Sequence, residues 1–126
     1  MTVVVTAAVI ECDGRFLVTR RLRGTHLEGM WEFPGGKCDP GESLTACLQR
    51  EIREELGTGV VVGSEILQST HEYTGRSVAL HFFACSLTGD PQPLLGQEMR
   101  WVAREDLRSL KFPPADDRLI DLLEST

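Results

Sequence analysis

Apolar and polar positions along this chain alternate between two periods. Val3 to Ile10 is a nearly continuous apolar, β-branched run, which predicts a buried strand. Asp13-Gly14 is a hairpin signal, and Phe16 to Thr19 predicts the returning strand. Arg20 to Gly29 is basic, polar and glycine-containing, and reads as a loop. Met30 to Phe33 predicts a short strand, with a sharp turn at Pro34-Gly35-Gly36. The period then changes. Leu44, Leu48, Ile52 and Leu56 recur at every fourth position and predict a helix from Ser43 to Leu56. Ser43 is placed to cap its start and Gly57 to end it. Val60 to Val62 and Ile66 to Tyr73 predict strands with a weak boundary between them. Thr74-Gly75-Arg76 is a turn, and Val78 to Leu87 its hairpin partner. A loop from Thr88 to Gly96, a strand from Met99 to Ala103 and a short helix from Arg104 to Leu110 follow. Pro113-Pro114 breaks the chain before a last helix, Ala115 to Leu123. Strands with singly inserted helices predict a mixed α/β (α+β) domain.

A length of 126 residues is that of one domain, expected to span 1–126. The 41% hydrophobic and 25% charged composition is that of a globular chain. Thirteen basic and nineteen acidic residues give a net charge of −6, which argues against broad binding to nucleic-acid polymers. A small polyphosphate remains compatible, because a bound cation inverts the local field. Cys12, Cys38, Cys47 and Cys85 form no C-x-x-C pair and are expected as small buried or half-buried thiols. No apolar stretch approaches a membrane span, and no leader pattern opens the chain, so the expected location is cytoplasmic. A monomer and a homodimer are equally open.

Glu51, Glu54 and Glu55 lie at i, i+3 and i+4, on one face of the expected helix. Like charges that close destabilise an isolated helix. The cluster makes physical sense if divalent cations sit on it, and Mg²⁺ commonly bridges carboxylates to substrate phosphates. The flanks sharpen this reading. Gly36, five residues, Glu42, seven residues, then Arg50-Glu51-Ile52-x-Glu54-Glu55-x-Gly57 resembles the Nudix box, here over 36–58. Thr58 stands where that box expects an aliphatic residue, and every polar position is intact.

The resemblance implies a Nudix fold, a mixed β-sheet sandwiched between α-helices, and hydrolysis of a nucleoside diphosphate linked to another group. It implies Mg²⁺ held by Glu51, Glu54 and Glu55, with Mn²⁺ as a substitute, and a backbone carbonyl of Gly35 or Gly36 as a further ligand. Arg50 is suited to orient a carboxylate, since arginine forms bidentate pairs well. Glu42 is placed to cap or salt-bridge within the box. Glu98, in a Pro/Gly-rich loop, is a candidate extra metal ligand or general base.

Trp31 to Lys37, Thr19-Arg20-Arg21 and Phe112 to Asp116 resemble the MutT branch and its CTP-hydrolysing relatives. Such enzymes convert a nucleoside triphosphate to the monophosphate and pyrophosphate, with water attacking the β-phosphorus. By that resemblance Arg21, His26, Phe33 and Asp116 are candidates for the nucleoside pocket. Phe33 has a core reading beside the pocket one, while Tyr73, Phe82 and Trp101 are expected in the core or on the sheet. Asp116 stands where MutT has Asn. Ionised Asp only accepts hydrogen bonds, which suits the cytosine 4-amino group, whereas a donor-acceptor pair suits 8-oxoguanine. The leading expectation is an 8-oxo-(d)GTP diphosphatase, with (d)CTP or 5-substituted cytosine nucleotides as the alternative. A nucleotide-sensing module would instead predict lost box carboxylates or an added DNA-binding domain.

Overall fold

In a computed structural model, residues 2–126 are described. The elements run β1 (Thr2–Cys12), β2 (Arg15–Arg20), β3 (Trp31–Glu32), β4 (Gly35–Lys37), α1 (Leu44–Leu56), β5 (Val60–Tyr73), β6 (Arg76–Leu87) and β7 (Met99–Ala103). Two 3₁₀ turns, Arg104–Ser109 and Pro114–Asp116, lead into α2 (Asp117–Glu124). The sheet order is β3-β2-β1-β6-β5, with β4 also on β1 and β7 on β2. β1 is the hub. It runs parallel to β6 from Thr2↔Ser77 to Ile10↔Cys85, antiparallel to β4 through Val5↔Lys37, and ends in the hairpin with β2.

The period of two along these strands divides the core. Ala7, Val9, Phe16, Val18 and Phe82 point to one face, where α2 seals them with Leu119, Ile120 and Leu123. Their neighbours Ala8, Ile10, Leu17 and Phe83 point to the other, where α1 seals them with Leu48, Ile52 and Leu56. This is the mixed sheet between helices that the resemblance implies, and it fits the mixed α/β (α+β) domain expected from the pattern.

α1 follows its sequence signals. Ser43 Oγ accepts from Ala46 N–H at 3.1 Å, and Gly57 ends the helix at φ 68°. Elsewhere the structure corrects the reading. The two strands expected over 60–73 are one bulged strand, its register shifting between Val62 and Leu67. The helix expected from Arg104 is 3₁₀, and the last helix starts at Asp117. Pro34-Gly35-Gly36 does not simply turn. Gly35 and Gly36 form β4 against β1, since a Cβ on Gly35 would overlap the backbone of Thr6. Cys38 and Cys47 are disulfide-bonded, leaving only Cys12 and Cys85 as free thiols. Spacing alone could not show this, because the bond joins a loop to a helix.

Ile52 is fully buried under the sheet while Ser43 holds only a cap. We therefore expect Ile52→Ala to cost about 2–5 kcal/mol and Ser43→Ala about 1 kcal/mol in urea unfolding. Equal, small losses would contradict the seating of α1.

Candidate active site

The acidic face of α1 is organised by Arg50. Its Nε and Nη2 donate to the two oxygens of Glu42 at 2.8 and 2.9 Å, a bidentate pair. Nη1 reaches Glu51 at 3.2 Å and Glu54 at 3.3 Å, and Nη2 also donates to the Lys37 carbonyl at 3.1 Å. Glu42 in turn accepts from the Asp39 N–H at 2.9 Å. The Arg50 hydrogen bond, helped by that backbone N–H, holds the Glu42 carboxyl down at about 2. One arginine thus ties the loop before α1 to the carboxylates on it.

Those carboxylates sit against β4. A Cβ on Gly36 would overlap the Glu51 carboxylate, so only glycine lets the strand approach this closely. Burial raises the Glu51 pKa, against the pull of Arg50. Glu55 is pushed up to about 9, by burial first and then by the charges of Glu32 and Glu51. Burial also raises Glu32, which Arg21 partly offsets. Glu54 is the open member, with 58% of its side chain exposed. Several hard oxygens lining one cleft form a donor set that suits a divalent cation. Glu51, Glu54 and Glu55 line one cleft with Gly35, Gly36 and Glu32, so the residues present fit such an ion.

A second hollow of about 310 Å³ adjoins this cleft. The two share Arg21, Glu32, Gly35, Gly36 and Lys37. Its walls are apolar: Val78, Leu80, Phe82 and Phe33. Phe33 is both core and wall. It is buried, stacks on Phe112 at 5.5 Å and meets Phe82 edge-on at 6.3 Å. Asp116, 6% exposed, is the buried acid of this hollow. Burial raises its pKa to about 7, with Glu32 and Asp117 adding to the effect.

His26 and Arg21 line the hollow as well. Arg21 donates to the His26 carbonyl at 2.9 Å and pairs with Glu32 at 3.2 Å, so it also fixes the loop that carries His26. Tyr73 is on the sheet as expected, at the end of β5, and lines this hollow half-exposed, against His26 at 5.6 Å and His71 at 4.7 Å.

Glu98 is placed differently from the other acids. Its carboxylate pairs with Arg100 at 2.9 Å and Arg20 at 3.3 Å, and the Arg100 hydrogen bond is the main cause of its lowered pKa. The neighbour Gln97 lines the cleft instead, with its amide donating to the Glu55 carbonyl at 3.1 Å. Gln97, Glu32 and Lys37 are among the cleft residues that sequence reasoning did not single out. Glu32 carried a usable signal, since it alternates with the core residues Trp31 and Phe33. Gln97 carried none.

Comparison with known proteins agrees with this geometry. A family model described as NUDIX domain matches residues 5–122. The CTP pyrophosphohydrolase of Escherichia coli is 36% identical over 118 residues, 93% of this chain and 87% of that protein. The 8-oxo-dGTP diphosphatase of Haemophilus influenzae is 35% identical over 122 residues, 94% of this chain and 89% of that protein. Among solved structures, the E. coli ORF135 protein superposes with a TM-score of 0.84 at 37% identity, covering 98% of this chain and 86% of that one. The MutT protein of Methanosarcina mazei does so with a TM-score of 0.87 at 27% identity, covering 98% and 94%. On the family match and on relatives aligned along nearly its whole length, this chain belongs to the NUDIX domain family.

Proposed function

We propose that this Nudix protein is a Mg²⁺-dependent nucleoside triphosphate diphosphatase, releasing the monophosphate and pyrophosphate, and that residues 1–126 act as one catalytic domain. The observation that carries the reading is the continuity of a carboxylate cleft with an apolar hollow holding one buried acid. A triphosphate needs both: apolar walls for its base, and charge compensation for its phosphates. Glu51, Glu54, Glu55 and a backbone carbonyl of Gly35 or Gly36 would hold the cation. Bound there, it would neutralise phosphate charge and lower the pKa of a water. Arg50 keeps Glu51 and Glu54 in position. Arg21 and Lys37 line the junction of the two hollows, where a phosphate chain leaving the base pocket passes. Glu98 would have to leave its two arginines to join the site. Relatives named for nucleotide triphosphates support a nucleotide-pool role, which we place in the cytoplasm.

For the base, we favour 8-oxo-(d)GTP. With a pKa of about 7, the Asp116 carboxyl is neutral often enough near neutrality to donate as well as accept. The second reading is (d)CTP, favoured by the ionised form, which accepts from the 4-amino group. One titration separates them. Below about 7 the protonated acid should favour 8-oxo-dGTP, and above it dCTP should gain. We expect the ratio of kcat/KM for 8-oxo-dGTP over dCTP to fall roughly a hundredfold from pH 6 to 8, and to become flat in Asp116→Asn. A ratio that ignores both pH and the substitution would remove Asp116 from base recognition.

Glu54→Gln should lower kcat by about 10²-fold or more while leaving the thermal transition unchanged. Near-normal turnover would contradict the metal assignment.

The raised carboxyls also set the pH dependence of the metal-free protein. Glu55 keeps its proton in the folded state up to about 9 but releases it near 4.5 when unfolded. The fold therefore binds the extra proton between those values, and stability falls as pH rises. Asp116 acts in the same direction up to about 7. The lowered acids Glu42 and Glu98 are fully ionised in both states above pH 6. With EDTA present, Tm should drop by roughly 5 °C or more from pH 6 to 9, and Mg²⁺ should restore more at pH 9 than at pH 6. A flat metal-free Tm would contradict the buried-acid cluster.

A further inference from the structure

The Cys38–Cys47 bond lies outside the chemistry assigned above, yet it touches both elements that build the cleft. Cys38 directly follows β4, two residues after Gly36, and its N–H donates to the Val4 carbonyl at 2.9 Å. Cys47 is on α1, one turn before Glu51, and is fully buried. The bond closes the loop that carries Asp39, Gly41 and Glu42. We propose that Cys38 and Cys47 are a reversible redox-modification site: oxidation clamps β4 to α1, and reduction releases the 38–47 loop without unfolding the domain.

Three features support this. The two sulfurs differ in access: Cys38 is partly exposed, whereas Cys47 is not exposed at all. A small thiol can therefore reach Cys38 while Cys47 leaves into a shielded site. That site accommodates a free thiol, since Cys47 Sγ lies 3.3 Å from Thr6 Oγ1 and 3.8 Å from the Gly36 carbonyl. Finally, the Arg50–Glu42 pair holds the same loop independently. Reduction therefore removes one of two fastenings.

The chemistry balances with a peroxide as oxidant. The Cys38 thiolate attacks a peroxide oxygen, giving a sulfenic acid and releasing hydroxide, which takes up a proton. The Cys47 thiol then attacks that sulfur; the S–S bond forms and water leaves. In sum, two thiols and hydrogen peroxide give one disulfide and two waters, a two-electron oxidation. In reverse, a dithiol attacks Cys38 and frees Cys47 as a thiolate that is then protonated. Its second thiol resolves the mixed disulfide, leaving the dithiol oxidised.

The test uses the full chain carrying Cys12→Ser, so that no exposed thiol competes. The protein is treated with hydrogen peroxide or with dithiothreitol, and each sample is split. One part is denatured, alkylated with N-ethylmaleimide and weighed intact. The other is followed by hydrogen exchange over residues 38–47. We expect two fewer adducts after peroxide, and exchange in the loop slower by about tenfold in the oxidised form. Both differences should vanish in Cys38→Ser and in Cys47→Ala, either of which serves if the other fails to fold. Equal adduct numbers, or equal exchange in the two states, would overturn the proposal. So would one equivalent of zinc retained by the reduced protein and lost in Cys38→Ser, since Cys38, Glu42 and Cys47 would then form a metal site. None of these readouts depends on turnover, so they stand apart from the diphosphatase reading.

Discussion

Arg50 hydrogen-bonds four groups at once, Glu42, Glu51, Glu54 and the Lys37 carbonyl, and pairs with Asp39 at 3.6 Å. A helix face with acids at i, i+3 and i+4 repels itself, and burial makes the repulsion worse. Arg50 offsets part of that and converts the rest into placement, because its planar fork fixes two donors at a time. It also ties the helix to the preceding loop through Glu42, and the loop to β4 through Lys37. Glu55 lies outside its reach and shows the largest upward shift among the box carboxylates, to about 9. Without a cation these acids are therefore incompletely compensated, and such a donor set suits a divalent cation.

The sheet supplies the other half of the design. β1 is paired with β4 near its centre and with β6 along most of its length. β4 brings Gly36 to the helix, while β6 contributes Leu80 and Phe82 to the apolar hollow. One strand thus positions the carboxylate cleft and the apolar hollow together. In the proposed reading their functions are separate in residue terms: the α1 carboxylates serve the reaction, and Asp116 serves the base. Glu32 links the two, since its charge bears on both Glu55 and Asp116.

The layout of α1 and its acids was legible in the sequence because it is local. Ser43, Arg50, the three glutamates and Gly57 lie within one helix and its caps, where spacing gives direction. The two-sided core was legible for the same reason, through the alternation at residues 7–10 and 16–18. What escaped depends on contacts between distant segments. Gly35 and Gly36 read as a turn because their constraint, the approach of Thr6 and Glu51, is tertiary. Tyr73 and Gln97 reach the hollows only through the hairpin and the loop that carry them. The Cys38–Cys47 bond and the pairing of Glu98 with Arg20, across to β2, likewise have no short-range signature.

The central claim is that the acidic cleft directs water to the β-phosphorus of a nucleoside triphosphate. Turnover of 8-oxo-dGTP or dCTP by the purified protein in ¹⁸O-water with Mg²⁺ tests it directly, followed by mass analysis of both products. The account predicts label in pyrophosphate and none in the nucleoside monophosphate. Label in the monophosphate, or release of single phosphate in place of pyrophosphate, would contradict it.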